Sequence, residues 1–264
     1  MVSPAGPPPP LSSFEEPVEA LVVGASRGIG LAFARRLAAT PGVGTVWAGC
    51  RSPGASDALV SLADADERVQ PVVLDVTDED SLAAAAETIG ARARPLNLVI
   101  NCAGILHGPE QMFPERRLRE IRPDWLARAF QVNATGVVLL AKHVEDLLPR
   151  RARAVFASLS ARVGSIGDNR LGGWYAYRAS KAAQNMLIRN LSIELPRRAR
   201  GALAVALHPG TTDTDLSRPF QASVPQDKLF PADRAARQLL AVIDGLEPPD
   251  NGGFFAWDGR PIPW

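Results

Sequence analysis

Ala20-Leu21-Val22-Val23-Gly24-Ala25-Ser26-Arg27-Gly28-Ile29-Gly30 joins a short apolar run, a glycine-rich turn and the opening of a helix. The run carries no polar alternation, which is the pattern of a strand covered on both faces in a parallel sheet. Glycines allow the tight turn that follows, and they let an anion approach the helix N-terminus, where free N–H groups and the helix dipole favour negative charge. Gly24 and Gly28 are separated by three residues and Gly28 and Gly30 by one, unlike the GxGxxG pattern. Alone, such a turn also fits a plain structural corner. Its place at the first strand–helix junction is what points to a nucleotide phosphate, with Ser26, Arg27 and Ile29 in the same turn.

Outward from this stretch the alternation repeats. Further strands are predicted at Thr45–Ala48, Val69–Leu74, Leu96–Ile100, Ala154–Ala157, Ala202–Leu207 and Phe254–Ala256. Between them, Ile29–Ala39, Ala55–Asp66, Ser81–Arg92, Asp124–Leu148, Trp174–Leu195 and Ala232–Leu246 carry apolar residues at helical spacings. Six strand–helix alternations predict a single α/β domain over residues 18–264: a doubly wound, mostly parallel sheet of seven strands with helices on both faces. Residues 1–17 hold six prolines, including Pro7-Pro8-Pro9-Pro10, and read as a flexible tail outside the core, although Leu11 and Phe14 are able to anchor a docked arm.

Composition narrows the function classes. At 264 residues, 46% hydrophobic and 22% charged, the chain has material for one large core and is neither fibrous nor disordered. Its net charge of +1, from 29 basic against 28 acidic side chains, provides no field for nucleic acid or an anionic membrane. The longest apolar stretches, Ala20–Val23 and Val137–Ala141, fall far short of the ~20 residues that span a bilayer. No secretory signal opens the sequence, and only Cys50 and Cys102 are present, so a cytoplasmic protein without a disulfide framework is expected. Both cysteines fall at strand ends and read as inert buried thiols. His107, His143 and His208 lack ligand spacing, and no metal site is expected.

Two local features carry chemistry. An NAD enzyme places an acid at the end of its second strand to accept from the ribose 2′-hydroxyl. Here the chain reads Gly49-Cys50-Arg51-Ser52, and Arg51 with Arg27 suits a 2′-phosphate instead, so NADP(H) is expected over NAD(H). Tyr177 and Lys181 stand four apart in Tyr177-Arg178-Ala179-Ser180-Lys181, among only two tyrosines. On a helix they share a face, and a nearby ammonium favours the phenolate, which makes the tyrosine a general acid/base near neutral pH.

Gly24-x3-Gly28-x-Gly30, Asn101-Cys102-Ala103-Gly104, the serines after the fifth strand and Tyr177-x3-Lys181 together resemble the short-chain dehydrogenase/reductase superfamily, with its Rossmann-type fold, from about Glu19 to Trp264. Ser160–Ile166, Gly172–Lys181 and Gly252–Gly259 resemble its C-factor and sniffer-type carbonyl reductase branch. The resemblance implies that Tyr177 exchanges a proton with the carbonyl oxygen and that Lys181 holds the nicotinamide ribose. It gives Asn133 a water in the relay to Lys181. A serine would polarise the carbonyl. In the common pattern that serine stands three residues before the next glycine, where this chain has Ala161. Ser160, four before Gly164, takes the role in this reading, with Ser158 and Ser165 as alternatives. By the same resemblance Asp75 and Val76 receive the adenine, and Asn101, Ala103 and Gly104 line its ribose. Pro209, Gly210, Thr212 and Thr214 hold the carboxamide.

The expected substrate is a ketone or aldehyde of moderate size, or the corresponding alcohol. Leu106, Met112, Ile166, Leu171, Trp174, Leu216 and Phe220 would form an apolar pocket for it. Glu115-Arg116-Arg117-Leu118-Arg119-Glu120 reads as a solvated face. The resemblance also implies a homodimer paired through the long helices. The competing class is a C-factor-like signalling protein that binds NADP(H) without essential turnover, and the intact Asn133, Tyr177 and Lys181 argue against it.

Overall fold

All six residues of β1 (Val18–Val23) are buried, so each face of the strand needs its own cover. The computed structural model describes residues 11–92, 94–108 and 112–264. After β1 come α1 (Gly28–Ala38), β2 (Val43–Cys50), α2 (Asp57–Ala65), β3 (Val69–Val73), α3 (Glu79–Gly90) and β4 (Leu98–Asn101). The second half holds α4 (Pro123–Phe130), α5 (Gly136–Val144), β5 (Arg153–Leu159), α6 (Tyr175–Arg198), β6 (Gly201–His208), β7 (Thr211–Asp213), β8 (Leu229–Pro231), α7 (Ala232–Asp244) and β9 (Phe254–Ala256).

The main sheet runs β3-β2-β1-β4-β5-β6-β9, and every pairing in it is parallel. The expected seven-stranded, doubly wound α/β fold is what the chain forms. Side chains alternate across the sheet. Ala20 and Val22 meet Phe33 and Leu37 of α1 and Leu239, Leu240 and Ile243 of α7. Leu21 and Val23 meet Leu82 of α3, Leu140 of α5 and Ile188 of α6 on the other side. Phe33, Leu37 and Leu140 are fully buried, and each such side chain contributes about 1.5–3 kcal/mol of transfer free energy.

Three local features differ from the sequence expectation. Leu11 and Phe14 are buried in the α1–α7 core, Arg153 lies over the Phe14 ring and Ser13 N–H donates to Asp244 at 2.9 Å. Apolar burial therefore docks this part of the proline-rich segment on the domain, while Pro7-Pro8-Pro9-Pro10 lies outside the described residues. The helix expected over Asp124–Leu148 is interrupted by one π-type turn, Gln131–Thr135, between α4 and α5. Finally, β7 and β8 form a separate two-stranded ladder, Thr212 opposite Phe230. Among the described residues no helix is long and apolar enough to cross a membrane.

Chain order reverses between β1 and β4, and in open α/β sheets the carboxyl ends of the strands beside such a switch form the binding crevice. Gly24 follows β1, Asn101–Gly104 closes β4, Ser160 follows β5 and Pro209-Gly210 follows β6. The sheet thus brings motifs far apart in sequence to one edge.

Candidate active site

The glycine-rich turn is built for close approach. Gly24 and Gly28 take left-handed φ values of 81° and 56°, which favour glycine. A Cβ on Gly30 would lie 2.1 Å from the Gly24 carbonyl oxygen, so only glycine packs there. Arg27 precedes α1 in extended conformation without a side-chain cap, and the first turn carries no acid. That leaves backbone N–H groups at the positive end of the helix for an anion. Thr214, from the segment after β7, closes over this turn: a Cβ on Gly28 would meet its methyl at 3.3 Å. The cradle fits a dinucleotide pyrophosphate.

Beyond β2, Arg51 is exposed and Arg27 pairs with Asp215 at 3.6 Å on the surface. Burial works against the Asp75 carboxylate, yet hydrogen bonds from Thr77 and the charges of Arg51 and Arg128 outweigh it and hold the group below the usual carboxylate range. Val76 packs against Gly136 at the start of α5. Asn101 ties two strands together, donating to Ser158 Oγ at 3.1 Å while its Oδ1 receives Ala103 N–H. Gly210, with φ of 75°, leaves space that a Cβ would take from the Phe230 ring. Thr212 is buried on β7.

Tyr177 and Lys181 share one face of α6, with the ammonium 5.8 Å from the phenol ring centroid. Lys181 is only 3% exposed; its Nζ donates to the Leu159 carbonyl and to Gln184 Oε1, both at 2.8 Å. Desolvation pulls the ammonium down to about 7 and pushes the Tyr177 phenol above its ordinary value. The sequence expectation had the cation lowering the phenol. In the folded chain burial dominates, and the tyrosine keeps its proton at neutral pH. Burial likewise pushes the Cys50 and Cys102 thiols up, and the His208 imidazole down to about 4, with Arg162 adding to the latter. Among the described residues no group of three His, Cys, Asp or Glu is placed to hold a metal ion.

Asn133 sits in the π-type turn. Its Oδ1 accepts from Ile105 N–H at 2.8 Å, and its Nδ2 donates to the Ile105 carbonyl at 2.9 Å and to Ser180 Oγ at 3.0 Å. Such turns are frequent at functional sites. Gly104 lies beneath: a Cβ there would stand 3.3 Å from Asn133 Oδ1 and 3.5 Å from Lys181 Nζ. The tyrosine, lysine and asparagine marked in sequence therefore converge on one place.

The serines are all engaged. Ser158 Oγ accepts from Asn101 and, at 2.8 Å, from Gln184 Nε2. Ser165 Oγ accepts from Asp168 N–H. Ser160 Oγ donates to Asn185 Oδ1 at 2.7 Å. Ala161 follows it in extended backbone, half-buried. Sequence reasoning passed over Gln184 and Asn185, although extending the helix-face arithmetic three and four residues past Lys181 finds both.

Beside Tyr177 a pocket is lined by Leu106, Met112, Phe113, Trp125 and Glu115. Trp174 packs against Tyr177 and against Phe220, with ring centroids 6.3 and 5.1 Å apart. Ile166 and Leu171 do not join it; they are 77% and 90% exposed on the long loop. Glu115 was not expected. Arg116–Glu120 are exposed as read, but Glu115 turns inward because it caps α6, accepting Ala176 N–H at 3.2 Å.

A family model described as short chain dehydrogenase matches residues 19–224. C-signal of Myxococcus xanthus is 40% identical over 139 residues, 53% of this chain and 78% of that protein. The NADPH-bound carbonyl reductase from chicken fatty liver superposes with a TM-score of 0.83 at 30% identity, covering 95% of this chain and all of that one. Carbonyl reductase Sniffer of D. melanogaster superposes with a TM-score of 0.82 at 26% identity and the same coverage.

Proposed function

This chain belongs to the short-chain dehydrogenase family of NAD(P)-dependent oxidoreductases, and from that premise we propose that it reduces a small ketone or aldehyde with NADPH, or runs the reverse reaction, using Tyr177 as proton donor. The observation that carries the reading is the burial of Tyr177 and Lys181 on one face of α6, above Asn133 and beside an apolar pocket. A bound nicotinamide dinucleotide supplies the hydride. Gly24, Ser26, Arg27, Gly28, Ile29 and Gly30 receive its pyrophosphate on the N-terminus of α1. Asp75, Val76, Asn101, Ala103 and Gly104 border the adenosine half, and Pro209, Gly210, Thr212 and Thr214 the carboxamide. Arg51 and Arg27 favour a 2′-phosphate, which supports NADP(H) over NAD(H).

Tyr177 gives its hydroxyl proton to the carbonyl oxygen as hydride arrives. Its burial keeps it protonated beforehand, the form an acid needs. Lys181 exchanges the proton onward, as burial pulls its ammonium down to about 7, and in its charged form it steadies the phenolate that forms. Asn133 holds the turn that faces them. Ser160 acts by holding Asn185 rather than by polarising the carbonyl, because its hydrogen already has an acceptor. The protein acts in the cytoplasm as a homodimer in this reading; Met186 and Ile193, seven apart on α6 and exposed, suit a paired helix face.

The likeness to C-signal supports a second reading, an NADP(H)-binding signalling protein whose turnover is dispensable. One experiment separates the two: consumption of NADPH, and of NADH in parallel, across ketones and aldehydes, with Tyr177→Phe alongside. Turnover that disappears in the variant while NADPH binding persists supports the reductase. Turnover that survives Tyr177→Phe overturns the tyrosine mechanism, and equal binding of NADH overturns the cofactor preference.

A further inference from the structure

Glu115 is a carboxylate inside the protein with half of its capacity in use. The residue is 2% exposed. Its backbone oxygen receives Trp174 N–H at 2.5 Å and its Oε2 receives Ala176 N–H, so it clamps the start of the helix that carries Tyr177. Among the described residues Oε1 is buried without a hydrogen-bond partner. Capping needs one acceptor, which a neutral side chain supplies; a second, desolvated and unpaired oxygen adds cost. A buried polar atom left without a partner in a folded protein calls for a cause.

The surroundings provide one. Glu115 lines the same narrow pocket as Tyr177, whose free volume of about 10 Å³ has room for one small polar group, and the other lining side chains, among them Leu106, Met112, Phe113 and Trp125, are aliphatic, aromatic or proline. We propose that Glu115 is a specificity residue: Oε1 accepts a hydrogen bond from a hydroxyl or ammonium group on the substrate while the carbonyl is presented to Tyr177. This rests on Tyr177 being the proton donor. The implied substrate class is a hydroxy- or amino-substituted ketone or aldehyde whose carbonyl and donor are joined by an apolar spacer, aromatic or branched. A carboxylate offers only acceptors, so it selects donors and rejects isosteres that leave it unpaired.

The test compares matched aryl ketones with a para hydroxyl, a para aminomethyl or a para methyl group. In the wild-type enzyme at least one donor-bearing ketone is expected to exceed the methyl ketone in kcat/KM by about 100-fold, in the range of discrimination available when a buried polar group loses its partner. The hydroxyl and ammonium arms identify which donor fits. Glu115→Gln retains an acceptor for Ala176 N–H; it should cut the preference for the donor-bearing ketone over the methyl ketone at least about 10-fold, mainly through the KM of the donor-bearing ketone, because a charged hydrogen bond is replaced by a neutral one. A wild-type enzyme that does not distinguish the three ketones overturns the proposal without any variant. So does a Glu115→Gln enzyme that loses all three equally, which would leave the residue only its grip on the helix. Persistent turnover in Tyr177→Phe is a separate result, against the tyrosine reading.

Discussion

Removing the Ser160 hydroxyl distinguishes two ways of handling the carbonyl. In the folded chain that hydroxyl donates to Asn185 Oδ1 at 2.7 Å, with both residues buried. Ser160→Ala leaves Asn185 Oδ1 without its donor, although Asn185 Nδ2 keeps a 3.4 Å contact with the Gly164 carbonyl. An unsatisfied buried acceptor costs about 1–3 kcal/mol, and in a chain of this size each kcal/mol moves the melting temperature by about 2–4 °C. Turnover, followed by loss of NADPH absorbance, should fall less than about 10-fold, because no bond to the substrate is lost. A serine that polarises a carbonyl behaves otherwise: removing one oxyanion-type donor costs about 100- to 1000-fold in kcat. Ala161→Ser restores a hydroxyl where the resemblance places that serine, three residues before Gly164. A new hydrogen bond worth about 1 kcal/mol should raise kcat about fivefold. A loss of 100-fold or more in Ser160→Ala with an unchanged melting temperature would refute this reasoning and return the polarising role to Ser160.

Two further outcomes follow from burial and exposure. Desolvation holds Lys181 near 7 in the folded chain, whereas the unfolded chain keeps that proton to about 10. The unfolded state therefore binds more protons between these values, and unfolding free energy should rise with pH across that window, the cost being fully present below it. Urea midpoints of wild type minus Lys181→Met, measured from pH 6 to pH 10, should climb; parallel curves would contradict the shift. For the α6 face, light scattering at micromolar concentration should give a dimer mass, and Met186→Lys with Ile193→Lys should give a monomer. A monomeric wild type removes the homodimer.

What the sequence disclosed and what it withheld divide along one physical line. Gly24, Gly28 and Gly30 mark the turn because left-handed φ and close approach are local demands, met by glycine alone. Tyr177 and Lys181 are legible because four residues on a helix is one face whatever surrounds it. Apolar runs such as Leu21–Val23 announce a strand covered on both sides. Each of these needs only neighbours in the chain.

The features that escaped depend on partners distant in sequence. The π-type turn at Gln131–Thr135 interrupts a segment of good helical period because Asn133 ties to Ile105, 28 residues away, and to Ser180. Glu115 sits at the head of a charged run, and its contacts with Trp174 and Ala176, about 60 residues on, turn it inward. Residue type suggested that the phenol is lowered by a neighbouring ammonium, but Lys181 spends its protons on Leu159 and Gln184 in a desolvated site, and desolvation moves both groups the other way. Ser158 joins Asn101 to Gln184, and Gln184 joins that pair to Lys181. The lysine is thereby fixed to the ends of β4 and β5 as firmly as to its own helix. On the proposed mechanism, a substitution at Gln184 or Asn101, neither of them part of the Tyr177-x3-Lys181 signature, would act on Lys181 through this chain of bonds.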